Sequence, residues 1–539
     1  MLRRVVLATG AYGITTKFKT PGFKYSNIRF ENQEEIYNNK IYDLVIIGAG
    51  TAGLAAAYSA REEGLSVAVI NYVPPNYHGT VFGIGGTCPN VGCIPKYYFI
   101  KSAEIYQSEH LLSGLGFKTS EWSSKFSWSN LVKNVANINK SSAFKLKVSL
   151  KKAGIDHIPY YAEFKDQNTV SLIKNPSLKE NTDKNVIVKG KYFLIASGER
   201  PSANFPIQGL RYGITHEEIF KLPEKPKRAL VLSLRSIGTE TISMLRGLGA
   251  ETVGLHGTKF LQSYDKEIVD YLKKSFVDQG IKMEEDVTID EIIEEKDTKK
   301  YSVVYKSANG VKKILDNFDI VVNCRGRRTN LGFLNGLPIE VNEDNNRIVG
   351  GFGGIDERTS IPNIFAAGDT LDKIPRNVPG GIFGARKVAK MVSELVRNPD
   401  NDLKPFTKSV YENMPCILYT IPEIGSIGLS EEKAVQSYGK EAIATKSLEK
   451  AGFLQNMGNL IGSFESDEYI PKKNLFKIVY LKKTGKILGL HMIGQNIEEI
   501  LQGYAVRFYF NFSLLLIKVF IWKIYKKLFI FILQKLIIF

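Results

Sequence analysis

The sequence contains few cysteines for its length. Only four occur in 539 residues, which argues against a secreted fold held together by disulfides and favours a reducing compartment. With 44% apolar and 24% charged residues, the composition also excludes a disordered or fibrous protein. At about 150 residues per domain, the length predicts three or four domains.

The positive charge is concentrated at the two ends of the chain. Of the formal net charge of +17, residues 1–30 and 507–539 each contribute six Lys or Arg residues, and neither segment contains an acidic residue. The nearly balanced centre predicts no nucleic-acid partner. The acid-free start, with its Arg, Ser and Thr residues, favours a mitochondrial presequence within a leader over residues 1–39. The alternative is the disordered leader of a cytoplasmic protein.

Residues 507–539 form an atypical apolar and basic tail. Its longest run without a charge, Phe508–Ile517, has ten residues, whereas a membrane-spanning helix needs about 18. The five lysines of the tail would point to all sides of a helix, which predicts neither a membrane span nor an interfacial helix. Its composition, rich in Phe, Ile, Leu and Lys, is typical of translated noncoding sequence.

Two β-α-β units are predicted from the hydrophobic pattern. The first has an apolar strand from Ile41, a helix over Leu54–Glu63 and a strand at 66–70. The second has a strand at 229–232, a helix over Thr239–Leu248 and a strand at 251–255, and the runs 302–305 and 318–322 add strands to it. A third strand ends near Asp369, and a helix follows over Pro379–Val396. Beyond Pro405, short strands with one helix at Glu431–Gln436 predict an α+β module.

A glycine loop joins the strand and the helix of the first unit. Gly48, Gly50 and Gly53 permit a tight turn, a close backbone approach to a pyrophosphate and close packing of helix on strand. In this context the loop predicts dinucleotide binding. The next strand ends in Asn71, which can form a hydrogen bond with a ribose but lacks the charge of the usual acidic residue.

The segment from Gly85 to Lys96 contains the two cysteines Cys88 and Cys93. Two thiols at this spacing, on a loop leading into a helix, can close a small disulfide ring, and a nearby cation would make them a redox couple. A zinc site is disfavoured because no second Cys/His cluster supplies the other ligands, and two unconnected cysteines are the remaining alternative. Cys324 and Cys416 are expected to be buried as small apolar residues.

Five segments together resemble the pyridine nucleotide-disulfide oxidoreductases. They are residues 48–53, 78–96, 195–201, 364–369 and 421–434. Within that family, the segments around Cys88 and after Gly428 are most similar to the large thioredoxin reductases, and glutathione reductase is next.

The resemblance implies an α/β fold with two Rossmann-like domains, for FAD and NADPH, and an α+β dimerisation domain. The implied boundaries are 40–205 with 326–404 for FAD, 206–325 for NAD(P)H and 405–506 for a dimerisation domain that makes a homodimer.

The resemblance also implies the roles of individual residues. Cys93 would lie next to the flavin as the charge-transfer thiolate, and Cys88 would exchange with the disulfide of a partner. Lys96 would lie beside the flavin and pair with Glu240, which polarises the ring. The implied FAD-binding residues are Gly48, Gly50, Thr51, Ala52, Gly53, Asn71, Gly86, Thr87, Lys96, Ser197, Gly198, Gly368 and Asp369.

The second nucleotide loop departs from the family pattern. Its sequence runs from Ser233 to Gly238, so that side chains at Ser233 and Arg235 replace glycines and are expected to hinder the approach of a pyrophosphate. Arg235 could instead bind a phosphate through its own charge. Ser236 replaces an aromatic gate residue of the family. Lys259 is the one residue near the second strand that is expected to bind the 2′-phosphate of NADPH.

The implied reaction is electron transfer from NADPH through FAD and the Cys88–Cys93 pair to a thioredoxin or glutathione disulfide. The family uses a C-terminal His and Glu as acid and base, but no histidine follows His491 in this chain, and the C-terminal redox tail of large thioredoxin reductases is missing. Impaired turnover is therefore expected. The alternatives are an inactive flavin-binding remnant and a reductase of the glutathione or lipoamide type.

Overall fold

The computed structural model of the chain describes residues 40–107, 126–173, 186–351, 356–400, 411, 413–450 and 473–509. The described residues form nine α-helices and 24 β-strands. The helices are α1 (Thr51–Glu62), α2 (Thr87–Val91), α3 (Cys93–Gln107), α4 (Trp128–Lys152), α5 (Ser236–Gly247), α6 (Lys266–Asp278), α7 (Val378–Arg397), α8 (Glu431–Tyr438) and α9 (Ile497–Tyr509). The strands are β1 (Ile41–Ile47), β2 (Val67–Ile70), β3 (Asp156–Ile158), β4 (Tyr161–Asp166), β5 (Thr169–Ile173), β6 (Ile187–Ile195), β7 (Glu199–Pro201), β8 (Ile214–Thr215), β9 (Arg228–Leu232), β10 (Glu251–Leu255), β11 (Lys282–Glu284), β12 (Thr288–Glu295), β13 (Lys300–Lys306), β14 (Lys312–Phe318), β15 (Ile320–Asn323), β16 (Arg327–Thr329), β17 (Val341–Asn342), β18 (Arg347–Ile348), β19 (Ile364–Ala366), β20 (Cys416–Leu418), β21 (Glu423–Gly428), β22 (Ile443–Lys450), β23 (Asn474–Leu481) and β24 (Ile487–Gly494).

The first unit is built on a sheet of seven strands. Strands β3, β2, β1, β6 and β19 run parallel, and the antiparallel strands β5 and β4 continue the sheet from the first half of β6. Helices α1 and α7 pack together on one face, where Leu44, Ala56 and Val388 are fully buried. Strand β19 comes from a segment more than 160 residues after β6, so the chain leaves this unit and returns to it.

The second unit has a parallel sheet in the order β11-β10-β9-β15-β8. Helix α5 connects β9 to β10, and α6 lies between β10 and β11, as expected for right-handed crossover connections. Of the two additional predicted strands, the run at 318–322 enters this sheet as β15. The run at 302–305 is the strand β13, which lies in a separate three-stranded antiparallel sheet with β12 and β14.

The third unit is an antiparallel sheet in the order β20-β21-β24-β23-β22. Strand β24 is buried on both faces because alternate side chains meet different neighbours. Leu490 and Met492 pack against α9, whereas Ile493 faces the core of the second unit. Together the three units confirm the predicted fold class of two Rossmann-like units followed by an α+β unit.

A buried lysine holds the second and third units together. Lys477 of β23 is 2% exposed, and its Nζ lies 2.9 Å from a carboxylate oxygen of Asp265 and 2.7 Å from one of Glu431. Asp265 belongs to the second unit, where it also caps α6 by accepting the backbone N–H of Glu267. A buried pair of this kind fixes the orientation of one unit on the other because either charge alone would be costly to bury.

The predicted helices lie close to the observed ones. Helices α1 and α5 begin three residues earlier than predicted, because the turn of each glycine loop is already helical, whereas α7 extends one residue beyond the prediction at each end. Helix α9 continues through Arg507 to Tyr509, past the boundary at which the atypical tail was predicted to begin. The rest of that tail and the leader at 1–39 lie outside the described residues.

Gly53 and Gly238 occupy equivalent positions in α1 and α5. A Cβ atom on Gly53 would lie 1.9 Å from the carbonyl oxygen of Gly48, and one on Gly238 would lie 1.9 Å from that of Ser233. Glycine is therefore required at both positions by close packing of the helix on its own loop, as the sequence predicts for Gly53.

We expect Gly53→Ala to destabilise the protein by about 1–3 kcal/mol or more, because a methyl group would be forced against backbone that cannot move aside. Gly503→Ala is the matched control, since Gly503 also lies in a helix but a Cβ atom added to it would meet open space. That change should stabilise by about 0.5–1 kcal/mol. Urea unfolding of the full chain measures both, and similar midpoints for the two variants would contradict the packing argument.

Candidate active site

The first glycine loop leaves the amino terminus of α1 open. Gly48 has a φ of 109°, a conformation that favours glycine, and its amide donates to the carbonyl of Ile70. No side chain caps α1 at Gly50. The first amides of the helix, at Thr51 and Ala52, are therefore available to a phosphate.

The side chain of Asn71 forms a hydrogen bond within the glycine loop. Its side-chain oxygen accepts the backbone N–H of Ala49 at 2.8 Å, which leaves its NH₂ group as the part that can meet a ribose. That Asn71 contacts a cofactor stays a prediction, with its NH₂ group as the hydrogen-bond donor.

The segment that carries the cysteines packs directly on this loop. Gly85 donates its N–H to the carbonyl of Ala49 at 2.8 Å, and Gly86 lies so close to Gly50 that a Cβ there would be 2.8 Å from the Cα of Gly50. The thiols are consequently held at the carboxyl edge of the first sheet, beside the open end of α1.

Two further predicted segments meet at the same edge. The N–H of Gly198 donates to the hydroxyl of Thr370 at 2.9 Å, and the hydroxyl of Ser197 lies 3.5 Å from it. Gly368 approaches Ala52 so closely that a Cβ on it would lie 3.1 Å from that side chain. The four segments thus form a backbone-lined cradle that fits a dinucleotide, with the thiols at one end. Thr370 was not predicted, although it directly follows Asp369.

Both cysteines are helical and lie in contact as free thiols. Cys88 is the second residue of the short helix α2, and Cys93 is the first residue of α3, with Gly92 between the helices. The prediction placed them on an irregular loop. The short helix α2 and the first turn of α3 instead bring the two sulfurs together, and the thiol of Cys88 forms a hydrogen bond with Cys93.

This hydrogen bond makes the two thiols unequal. The hydrogen bond from Cys88, reinforced by the charge of Lys96, lowers the pKa of Cys93 to about 7 against the opposing effect of burial. The same hydrogen bond, together with burial, raises the pKa of Cys88. Of the two sulfurs, Cys93 is therefore the one that ionises first as the pH rises towards neutral, while Cys88 keeps its proton.

Lys96 and Glu240, which are 144 residues apart, form an ion pair. The Nζ of Lys96 lies 2.5 Å from Oε2 of Glu240, and the two side chains are 19% and 8% exposed. The other carboxylate oxygen of Glu240 accepts the backbone N–H of Tyr419 at 2.9 Å, and the Nζ of Lys96 lies 5.0 Å from the centre of the Tyr419 ring. The ion pair therefore joins all three units, and Tyr419 is a residue of the site for which the sequence pattern carries no signal.

The second glycine loop keeps the backbone of the first. Ser233 has a φ of 74° where Gly48 has its positive φ, and Arg235 has φ and ψ of −77° and −176°, against −76° and −176° at Gly50. Helix α5 also lacks a side-chain cap. The loop has thus preserved its shape despite losing two glycines. The side chain of Arg235 is exposed at its tip.

Lys259 is not free to serve as an isolated phosphate ligand. It is ion-paired with Asp286 at 2.5 Å on the surface. His256, which precedes it in the same turn, supports the loop by accepting the N–H of Leu234 on Nδ1 at 3.1 Å. Arg235 is therefore the better placed cation of the two.

Cys324, Cys416 and His491 each contact a neighbouring group of the fold. Cys324 is buried as expected, at 7% exposed, and contacts the hydroxyl of Thr241, whereas Cys416 is only half-buried and contacts that of Tyr264. His491 is buried in β24, where its Nε2 lies 2.9 Å from the carbonyl oxygen of Leu429.

The described residues contain no helix long and apolar enough to cross a membrane. Across the same parts of the chain, no group of three His, Cys, Asp or Glu side chains is arranged to hold a metal ion.

We expect Lys96→Met to raise the pKa of Cys93 by about one unit, because a neighbouring cation stabilises a thiolate. The rate of alkylation of Cys93, followed over a pH series by mass spectrometry, measures that pKa. Lys101→Met is the control, since Lys101 lies on the same helix but pairs with Glu423. An unchanged pH midpoint in Lys96→Met would remove Lys96 as the source of the effect.

Comparison with known proteins agrees with this geometry. The profile of a family described as "Pyridine nucleotide-disulphide oxidoreductase" matches residues 42–385, and that of its dimerisation domain matches residues 414–518. The chain is 30% identical over 499 residues to "Thioredoxin reductase" of Plasmodium falciparum (isolate FCH-5), which covers 88% of this chain and 86% of the relative. The protein of the same name from isolate 3D7 is also 30% identical over 499 residues, with 75% of it covered.

A third relative is "Thioredoxin reductase 2, mitochondrial" of Drosophila melanogaster, which is 29% identical over 477 residues, or 86% of this chain and 85% of the relative. These matches show that the protein is an oxidoreductase that uses FAD and NADPH and acts on disulfides. With a family profile that spans well over half of its length, the chain belongs to the pyridine nucleotide-disulphide oxidoreductases.

Proposed function

We propose that the protein reduces the disulfide of a thioredoxin with electrons that pass from NADPH through FAD to the Cys88–Cys93 pair. The observation that carries this proposal is the pair of unequal thiols held at the end of the cradle, beside the Lys96–Glu240 ion pair. When bound, FAD supplies two-electron transfer between the nicotinamide and the thiol pair.

Different residues of the cradle would bind different parts of FAD. The open amides of α1, at Thr51 and Ala52, and the closely approaching Gly50 suit the pyrophosphate. Asn71 offers its NH₂ group to the ribose. On the opposite wall, Thr87, Ser197–Gly198 and Gly368–Asp369 complete the binding surface. Lys96, with its charge fixed by Glu240, stands next to the thiolate end.

The thiols perform a balanced exchange with the acceptor. The sulfur of Cys88, once deprotonated, attacks one sulfur of the acceptor disulfide; a mixed disulfide forms and the other acceptor sulfur leaves as a thiolate that takes up a proton. The thiolate of Cys93 then attacks Cys88, which closes the Cys88–Cys93 disulfide and releases the second acceptor sulfur. Two electrons have then moved to the acceptor, and its two sulfurs take up the proton released by Cys88 and one proton from the solvent. Because the pKa of Cys88 is raised, this thiol must give up its proton for the attack, and that proton can pass to the acceptor sulfur that leaves.

Thioredoxin is the proposed acceptor, because the relatives are named thioredoxin reductases, and glutathione disulfide is the second candidate. The histidine that this reaction uses near the C-terminus elsewhere in the family has no counterpart after His491, so the impaired turnover stays a prediction.

We further propose a homodimer formed through the third unit, which matches the dimerisation-domain profile. A mitochondrial location is proposed from the basic, acid-free start and from the mitochondrial relative, with the cytoplasm as the alternative. The domain boundaries at 205, 325 and 405 also stand as proposals. Sedimentation of the full chain tests the first statement, and fractionation of cells that express it tests the second.

We expect Cys88→Ser and Cys93→Ser each to abolish reduction of thioredoxin disulfide while NADPH still bleaches the visible absorbance of the bound flavin. The reason is that both sulfurs are needed for exchange, whereas the nicotinamide meets the flavin without them. Stopped-flow absorbance and a thioredoxin assay measure the two steps, with Cys324→Ser as control. Retained thioredoxin reduction in Cys88→Ser would refute the proposed role of the pair. If the unmodified protein has a higher kcat/KM for glutathione disulfide than for thioredoxin, glutathione disulfide replaces thioredoxin as the proposed acceptor.

We expect Arg235→Ala to weaken NADPH binding about tenfold, the loss expected for one charge-assisted hydrogen bond to phosphate. The effect should shrink at high salt, since the contact is exposed. Lys259→Ala should have a smaller effect because Lys259 is already paired, and Lys282→Ala, an exposed lysine of the same unit, should have none. Titration calorimetry measures the Kd. Tighter binding in Arg235→Ala would show that the side chain obstructs the site.

A further inference from the structure

Arg327 makes a set of contacts that neither the family motifs nor the proposed reaction uses. Its Nη2 donates to the hydroxyl of Thr87 at 3.2 Å and to the carbonyl of Glu199 at 2.5 Å, and its Nη1 lies 2.8 Å from Nε2 of His216. The side chain is 11% exposed. These contacts reach three separate segments of the chain.

The position of Arg327 in the fold explains this reach. Strand β16, which begins at Arg327, pairs antiparallel with β7, so the two strands form the ribbon by which the chain leaves the first unit and returns to it. His216 and Glu217 lie just after β8 in the second unit. Arg327 therefore stands at the junction of the two nucleotide-binding units and extends from there to the helix that carries Cys88.

The shortest contacts of Arg327 are hydrogen bonds, and its ion pairs are longer. Its nearest approaches to the carboxylates of Glu199 and Glu217 are 3.9 and 3.6 Å. Glu199 is instead held by Arg347, at 2.6 Å. The fork of the guanidinium is thus directed at Thr87, the carbonyl of Glu199 and His216, a geometry that lysine cannot reproduce.

His216 accepts the hydrogen bond from Arg327 as a neutral imidazole. Burial, followed by the charge of Arg327, holds the pKa of His216 well below its usual value. With Nε2 accepting from Arg327, the ring proton resides on Nδ1. The guanidinium is therefore fixed from the second unit by an acceptor that does not titrate near neutral pH.

We propose that Arg327 is a positioning residue for Cys88, because it anchors Thr87, the first residue of α2, to the junction between the two nucleotide-binding units. Helix α2 has only five residues and no side-chain cap at Gly86, so its first turn depends on such external contacts. Cys88 follows Thr87 directly. This inference rests on the proposed exchange role of Cys88, but its test reads the thiols themselves.

Loss of the hydrogen bond between Arg327 and Thr87 should change the pKa of Cys93. The hydrogen bond from Cys88 is the largest of the effects that lower the pKa of Cys93; Lys96 acts in the same direction, while burial and Glu240 oppose it, and Tyr419 also faces the thiolate. If Cys88 is no longer held in place, the pKa of Cys93 rises towards that of a free cysteine. Loss of stability alone would not move that pKa.

The experiment compares Arg327→Gln with Arg328→Gln in the purified full-length holoenzyme after reduction. Arg328 is the neighbouring residue of β16 and, within the described residues, takes no part in the contacts to Thr87 and His216. We expect the pH midpoint for alkylation of Cys93 by iodoacetamide to rise by about one unit in Arg327→Gln. Alkylation of Cys88 should become about tenfold faster as α2 loosens. Peptide mass spectrometry resolves the two cysteines, and Arg328→Gln should match the unmodified chain.

A double-mutant cycle separates a specific link from general damage. Thr87→Val removes only the hydroxyl and should reproduce the shift, whereas Thr87→Ser keeps it and should not. Arg327→Gln combined with Thr87→Val should shift the midpoint no further than either single change. Additive shifts, or a midpoint in folded Arg327→Gln equal to that of Arg328→Gln, would overturn the proposal.

If Arg327→Gln does not fold, the comparison of Thr87→Val with Thr87→Ser tests the proposal instead. Equal pH midpoints for alkylation of Cys93 in these two variants would overturn the proposal. Failure of the proposed reaction would appear separately, as thioredoxin reduction that survives in Cys88→Ser.

Discussion

The ion pair between Lys96 and Glu240 is the interaction on which the rest of the site depends. Lys96 comes from the helix that begins at Cys93, Glu240 comes from the first helix of the second unit, and the N–H of Tyr419 brings the third unit to the same carboxylate. Neither charge is well solvated, so removing one partner would leave the other buried at a cost of about 3–5 kcal/mol. The ion pair therefore forms only when the first two units are docked, and the contact of Tyr419 adds the third unit to it.

The division of labour between the two thiols follows from this arrangement. Cys88 and Cys93 are chemically identical, and each is held near the start of a helix. What distinguishes them is that Cys88 donates the hydrogen bond and Cys93 receives it, with Lys96 on the receiving side. The lowered pKa of Cys93 favours a thiolate beside the cofactor cradle, whereas the raised pKa of Cys88 means that this thiol must lose its proton before it can attack a disulfide.

The two glycine loops show that a backbone conformation can persist after the residues that favour it are lost. Ser233 takes a positive φ, which is unfavourable for a residue with a side chain, and Arg235 has the same backbone angles as Gly50. The packing of Gly238 against the loop and the support of Leu234 by His256 hold this conformation in place. The second loop thus has the backbone shape of the first, although side chains stand where the first loop has glycines.

The sequence by itself determined the two β-α-β units, the glycine loop at Gly48 and the cysteine pair, because these features are local: they depend on hydrophobic period, on glycine at fixed spacing and on short motifs. It also identified Glu240 as the partner of Lys96, through resemblance to a family. Only the tertiary structure decided which residues from distant segments share a site. Tyr419, Thr370 and Arg327 carry no local signal, since each acts through a neighbour far away in the chain. The same holds for the inequality of the thiols, because a pKa depends on burial, hydrogen bonds and charges that exist only once the units are packed together.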